Sequence, residues 1–254
     1  MFTPDDRERL RDTLVAAARA DERVTGAALT GSESVGRADR WSDIDLALCV
    51  AGDPRPVLAD WSDRMYAEHG AVHHVDVVSG ATVYRVFLLA DTLQVDIAFC
   101  PAAEFGAKAP TFRLLFGTPR DVPPTPRPVA EHLVGMAWLY GLHARSSILR
   151  RRVWQAEYMV SGMRDHVLEL VCLRHGVPAA QGRGLDQLPA EVTGPYTAAL
   201  VGTLDVAGLW RAFGVVGKLL LAEAALVDAA LADRLTGPVT TLTSRSAEAS
   251  STDV

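Results

Sequence analysis

Five prolines fall between Thr118 and Pro128: Pro119, Pro123, Pro124, Pro126 and Pro128. Proline lacks an amide hydrogen for a helix or central strand and fixes its own φ, so regular structure has to stop before this run and restart after it. The two sides also differ in texture. Ahead of the run, short apolar stretches alternate with turn residues, as strands do. Beyond it nothing resembles a strand, and apolar residues recur at helical spacing. This pattern predicts a mixed domain over 1–117, a linker over 118–128 and a helical domain over 129–236. A Ser/Thr-rich tail over 237–254 is expected to be disordered.

In the first part, Thr3, Pro4, Asp5 and Asp6 make a helix start, followed by a face of Leu10, Leu14, Val15 and Ala18. Val24 to Thr30 is expected to be a strand that ends at Gly31. A polar loop from Ser32 to Ser42 then leads into a second strand from Asp43 to Val50. Pro54 and Pro56 open a helix reaching His69-Gly70. Runs at Val72–Val78, Thr82–Leu89 and Leu93–Phe99 follow, the last two as a hairpin turned at Ala90-Asp91-Thr92. In the second part, helical spacing fits Val129–Leu149, Val153–His175 and Leu204–Arg234, with a Gly/Pro-rich loop over Gly176–Pro195. The expected class is α+β: a small mixed sheet with flanking helices, followed by an all-α bundle.

The 254 residues carry 25 Lys+Arg against 31 Asp+Glu, a net charge of -6, which disfavours nucleic acid as a partner. Cys49, Cys100 and Cys172 are widely separated without metal-ligand spacing, as reduced thiols packed among apolar groups would be. The acidic start Met-Phe-Thr-Pro-Asp-Asp does not resemble a signal peptide. The apolar run from Leu133 is too short to cross a membrane, and the one from Leu219 is interrupted by Glu223 and Asp228. A cytoplasmic protein without membrane association is expected.

One constellation carries chemistry. Gly31-Ser32 is followed after ten residues by Asp43-Ile44-Asp45-Leu46, and Asp96 interrupts the apolar run Val95-Asp96-Ile97. On a strand, Asp43 and Asp45 share a face. Carboxylates set side by side repel unless a cation lies between them, and a hard divalent ion suits oxygen donors. The Gly-Ser turn offers amides and a hydroxyl to phosphate oxygens. If the Asp96 strand neighbours the Asp43 strand, the three acids form one cluster. There is no Gly-x-Gly-x-x-Gly after the first strand and no Gly-Lys-Ser/Thr loop, which disfavours a dehydrogenase or a kinase.

These residues resemble the nucleotidyltransferase superfamily related to DNA polymerase beta. The string Gly31 to Leu46 is most similar to its stand-alone members that modify aminoglycoside and lincosamide antibiotics. The resemblance spans Val24 to Phe99 and implies a catalytic domain over 1–117, with a helical domain after it. It further implies Asp43 and Asp45 holding two Mg²⁺ ions, with Asp96 as third ligand or general base. Gly31 and Ser32 would bind the β- and γ-phosphates of ATP, together with Ser42. Glu33 stands where many members have arginine, and Arg37 or Arg40 would replace that contact. The implied reaction moves AMP to a hydroxyl of a small molecule, with an aminoglycoside-like antibiotic as the first expectation. Modification of a protein or tRNA, and a nucleotide-binding regulator without turnover, are the alternatives. A homodimer is compatible with the resemblance.

In the helical half, Glu157, Ser161, Arg164 and Asp165 form a polar stripe on one face. Between two domains, Glu157 and Asp165 would suit a cationic acceptor, and Glu157 is a second candidate for the general base. Arg145 and Arg150–Arg152 are expected at a solvated helix end, Trp41 against a base or bracing its loop, and Arg183–Asp186 as a weaker candidate for an acceptor contact.

Overall fold

A computed structural model of the chain describes residues 1–245. The chain divides into two compact units, Met1–Pro126 and Arg127–Val254. The first begins with helix α1 (Pro4–Ala20), whose start is a reciprocal cap. The Asp6 amide donates to Thr3 Oγ1 at 3.2 Å, and the Thr3 amide donates to Asp6 Oδ2 at 2.9 Å. Strand β1 (Val24–Thr30) runs into a single helical turn, α2 (Gly31–Ser34), and a polar loop precedes β2 (Ile44–Val50). Helix α3 (Pro54–Glu68) is followed by β3 (Ala71–Ser79), β4 (Thr82–Leu89), β5 (Gln94–Pro101) and β6 (Phe112–Phe116).

The strands form one sheet in the order β3-β4-β5-β2-β1-β6. β2 and β5 run parallel and every other pairing is antiparallel, so the sheet is mixed, as expected. Its two faces differ because strand side chains alternate. On one face Leu46, Leu48, Ile97 and Phe99 pack against Leu14 and Ala18 of α1 and Val57, Trp61 and Met65 of α3. The other face carries small residues, Ala28, Ala47, Cys49, Ala98 and Cys100, gathered under Phe105. β6 is absent from the sequence expectation: five residues between a Gly/Pro-rich loop and Gly117 show too little period to be recognised.

The second unit is helical among the described residues: α4 (Ala130–Leu149), α5 (Val153–Arg174), α6 (Ala190–Thr197), α7 (Val206–Val227) and α8 (Ala229–Thr243). α4 and α5 form a helical hairpin in which a Cβ on Gly162 would run into the Tyr140 ring, so glycine permits the close approach. The core is built from Val160, Met163, Val167, Phe213, Val216 and Leu220. A buried acid, Glu223, accepts from Arg174 Nε at 3.0 Å and Nη2 at 2.9 Å and accepts the Tyr196 hydroxyl at 3.3 Å.

Several expectations are corrected. The helix over Leu204–Arg234 breaks at Asp228, which closes α7 and caps α8 from an extended conformation, its Oδ1 accepting the Ala230 amide at 2.8 Å. The loop over Gly176–Pro195 contains the start of α6. The expected disordered tail from Gly237 is helical as far as Thr243. Its Val239 is only 2% exposed, because a few apolar positions suffice to seat a Thr-rich helix on α7. Residues 246–254 of that expected tail lie outside the described residues. Nor is the proline run a free linker throughout. The Arg120 amide donates to the Phe105 carbonyl at 2.7 Å and the Thr125 amide to the Lys108 carbonyl at 2.9 Å, tying it back to the first unit. Among the described residues, no helix is long and apolar enough to cross a membrane.

Candidate active site

Parallel pairing of β2 with β5 sets Asp45 directly beside Asp96, and Asp43 stands just ahead of β2. One carboxylate oxygen from each of the three lies within 4.8 Å of the others, and all three residues are half-buried. The neighbour relation that the sequence left conditional is therefore met. Gln94, two residues before Asp96 on the same face, donates through its amide to Asp96 at 3.0 and 3.2 Å and reaches Asp43 at 3.5 Å. Burial pushes the Asp96 carboxyl above its ordinary value; the Gln94 amide works against that, and the Asp43 charge adds to it.

The Gly31 turn closes the other side. Gly31 has φ +61°, and a Cβ there would fall onto the Asp45 carboxylate, so only glycine lets the backbone lie so close to the acid. The Ser32 hydroxyl donates to Ser42 Oγ at 3.2 Å, and Ser42 Oγ accepts the Asp39 amide at 2.9 Å. Both serines expected at a nucleotide thus meet, across ten residues of loop, beside the carboxylates.

Two arginines of α1 that the sequence did not single out organise this loop. Arg7 is buried and donates to the Asp39 carbonyl and, at 3.5 Å, to that of Ser42, pinning the loop to the helix. Arg11 forms an ion pair with Glu33. An acid directly after Gly-Ser is unfavourable near phosphates, and Arg11 neutralises it from the neighbouring helix. The only sequence signal is that Leu10, Leu14 and Ala18 place positions 7 and 11 on the sheet-facing side of α1.

The other expected residues lie elsewhere in the network. The Arg37 amide donates to the Ser32 carbonyl at 2.9 Å, while the Arg40 guanidinium sits 4.3 Å over the Trp41 ring, which is 67% exposed. Glu157 belongs to the second unit. There the stripe is a hydrogen-bonded ladder: the Ser161 hydroxyl donates to Glu157 at 2.7 Å, Arg164 reaches Ser161 at 3.4 Å and pairs with Asp165 at 2.8 Å. Arg145, expected at a solvated helix end, instead donates from α4 to the carbonyls of Thr241, Leu242 and Ser244 and closes the end of α8. The cysteines are free and buried.

Three converging carboxylates beside a glycine turn are a donor set of hard oxygens, which fits Mg²⁺ and does not fit a soft thiophilic metal. The Gly31 backbone and the Ser32 and Ser42 hydroxyls lie next to that set and can serve anionic oxygens. No protein-family model matches the chain, and no curated protein matches it. Among solved structures, the chain is similar to an aminoglycoside 6-adenyltransferase from Bacillus subtilis, at a TM-score of 0.42 and 11% identity over 96% of this chain and 100% of that one. A likeness at that level is too remote to transfer a family, an activity or the role of a residue.

Proposed function

We propose that the chain is a Mg²⁺-dependent nucleotidyltransferase that moves a nucleoside monophosphate, AMP from ATP, to a hydroxyl of a small molecule. The observation that carries this is the convergence of Asp43, Asp45 and Asp96 against the positive-φ turn at Gly31. Asp43, Asp45 and Asp96 would hold the ion. Bound Mg²⁺ supplies charge neutralisation for the triphosphate and for the departing pyrophosphate. The Gly31-Ser32 backbone and the Ser32 and Ser42 hydroxyls donate to phosphate oxygens. Arg37 or Arg40 supplies the cation that Glu33, already paired with Arg11, does not. The chain's own contribution is position and charge rather than covalent chemistry.

The acceptor oxygen bonds to the α-phosphorus as the bond to the bridging oxygen breaks, and pyrophosphate leaves with the electron pair. The hydroxyl proton passes to a carboxylate, for which Asp96 is the candidate in the first unit. Because Asp96 would also hold the ion, Asp96→Asn should weaken Mn²⁺ binding together with turnover, which electron paramagnetic resonance and the pyrophosphate assay read side by side. The net charge of -6 favours a cationic acceptor, so an aminoglycoside-like molecule belongs in the first panel. The test is pyrophosphate release from Mg²⁺-ATP with aminoglycosides, lincosamides and spectinomycin, followed by mass spectrometry of the acceptor. A mass gain of one AMP is expected on a panel member. The proposal fails if neither Mn²⁺ nor any of ATP, GTP, CTP and UTP binds the chain.

A further inference from the structure

We infer that a hollow beside the acids is the seat of the acceptor, and that the group seated there is an uncharged, ring-sized apolar one bearing the reactive hydroxyl. This rests on the nucleotidyl transfer proposed above and departs from it on the acceptor, whose class is set here by the lining of the hollow and not by the net charge. The cavity measures about 250 Å³ and has Asp45 and Asp96 in its wall. The lining runs along β2 from Asp45 to Ala47, and along β5 from Asp96 through Ala98 to Cys100, so the acids stand at one end of an otherwise small-residue floor.

The walls are mostly apolar, with Thr30 and Thr125 as uncharged polar members. Phe105 and Phe112, packed edge to face with ring centroids 5.7 Å apart, line it together with Tyr84. The charges in the wall away from the acids are spent on each other. Glu104 lies 3.6 Å from Lys108 and accepts the Thr82 hydroxyl at 2.6 Å and the Ala81 amide at 2.8 Å. Burial pushes the Cys100 thiol up to about 11, so it is neutral wall as well. Among the described lining residues, Glu104 is the carboxylate at this end and is already paired. The volume falls below the roughly 300–1,000 Å³ of pockets that take drug-sized ligands, which suits a seated group of one ring with short substituents. The segment carrying Phe105 and Lys108 is itself tied down by the Arg120 and Thr125 amides, so the seat is preformed.

Floor residues this small under aromatic rings leave space that Leu or Val would otherwise fill. A hydroxyl on a ring seated there meets the carboxylate end. Its oxygen forms the new bond to the α-phosphorus, pyrophosphate departs with the electrons of the broken P–O bond, and the proton goes to a carboxylate.

The test uses the full chain and 4-methylphenol, an uncharged hydroxyl-bearing ring, with streptomycin as the cationic comparator. Saturation-transfer NMR reads ligand binding, and electron paramagnetic resonance reads Mn²⁺ binding in the same samples. Expected are transfer to 4-methylphenol in the unaltered chain and at least a tenfold loss of its affinity in Ala98→Leu and in Ala47→Leu, with Mn²⁺ binding retained. Phe112→Ala, which removes wall instead of filling the floor, covers the case in which a filled variant does not fold; it too loses affinity. Absence of 4-methylphenol binding while Mn²⁺ binds overturns the inference alone. Equal binding by wild type and all three variants overturns it as well. Binding of 4-methylphenol by a chain that takes up no Mn²⁺ overturns the nucleotidyl-transfer proposal, and the acceptor assignment with it.

Discussion

The two faces of the sheet are made by the same strands and do opposite work. Along β2 and β5, Leu46, Leu48, Ile97 and Phe99 face the helices and are essentially without solvent exposure, while Asp45, Ala47, Asp96 and Ala98 alternate with them on the other side. The first set is large and matched in shape to Trp61, whose ring meets Phe99 edge to face at 6.3 Å. The second set is small or charged, and it gives up packing in exchange for three converging carboxylates and a hollow. A strand's period of two lets neighbouring residues answer to different demands without any change of backbone. Stability and chemistry should therefore respond separately to substitutions one residue apart.

The largest effect is expected on the helix-covered face. Phe99→Ala leaves a cavity against Trp61 and should cost about 3–5 kcal/mol, read as a fall in the denaturant midpoint of the first unit. Asp45→Asn, on the other face, should lower turnover by on the order of 10³-fold, about 4 kcal/mol in the barrier. Its thermal midpoint should hold or rise, because a charge leaves a repelling cluster. A drop in stability in Asp45→Asn as large as that in Phe99→Ala would remove the distinction between the faces. Arg11→Ala strands Glu33 and should cost about 1–3 kcal/mol, with the loss largely recovered in the Arg11→Ala/Glu33→Ala double variant; a double-mutant cycle measures this. The smallest effect concerns pH. Hydrogen bonding from Arg23, with that from the Trp61 indole, holds the Asp21 carboxyl down to about 2. A carboxyl depressed on folding contributes stability above its unfolded value and loses it as pH falls through the folded one. Stability should thus decline by about 1 kcal/mol between pH 4 and pH 2, and this component should vanish in Asp21→Asn.

The site was legible in part. Asp43 and Asp45 could be paired from strand alternation alone, and Asp96 drew notice as an acid inside an apolar run. What made the three a cluster is the parallel pairing of β2 with β5, a contact between segments some fifty residues apart that no local pattern encodes. The roles of Arg7 and Arg11 are hidden for the same reason: helical spacing puts both on the sheet-facing side of α1, but each acts through a partner in the loop that the helix alone does not name. Gln94 carries no signal until Asp43 and Asp96 stand beside it. The errors at β6, Asp228 and α8 have a different origin, because short elements and composition-poor helices are decided by what they pack on.

Local chemistry by itself determined that the chain changes from sheet to helix around its proline run, where the first helix starts, and that carboxylates at 43 and 45 share a face with a glycine turn upstream. These depend on caps, on proline's missing donor and on side-chain alternation, all of which act within a few residues. Tertiary structure alone decided that Asp96 stands beside Asp45, that Arg11 neutralises Glu33, and that small residues on two strands meet Phe105 and Phe112 around a hollow. Each of these joins side chains distant in sequence, and such meetings follow from the order in which strands pair and the face on which helices bury them.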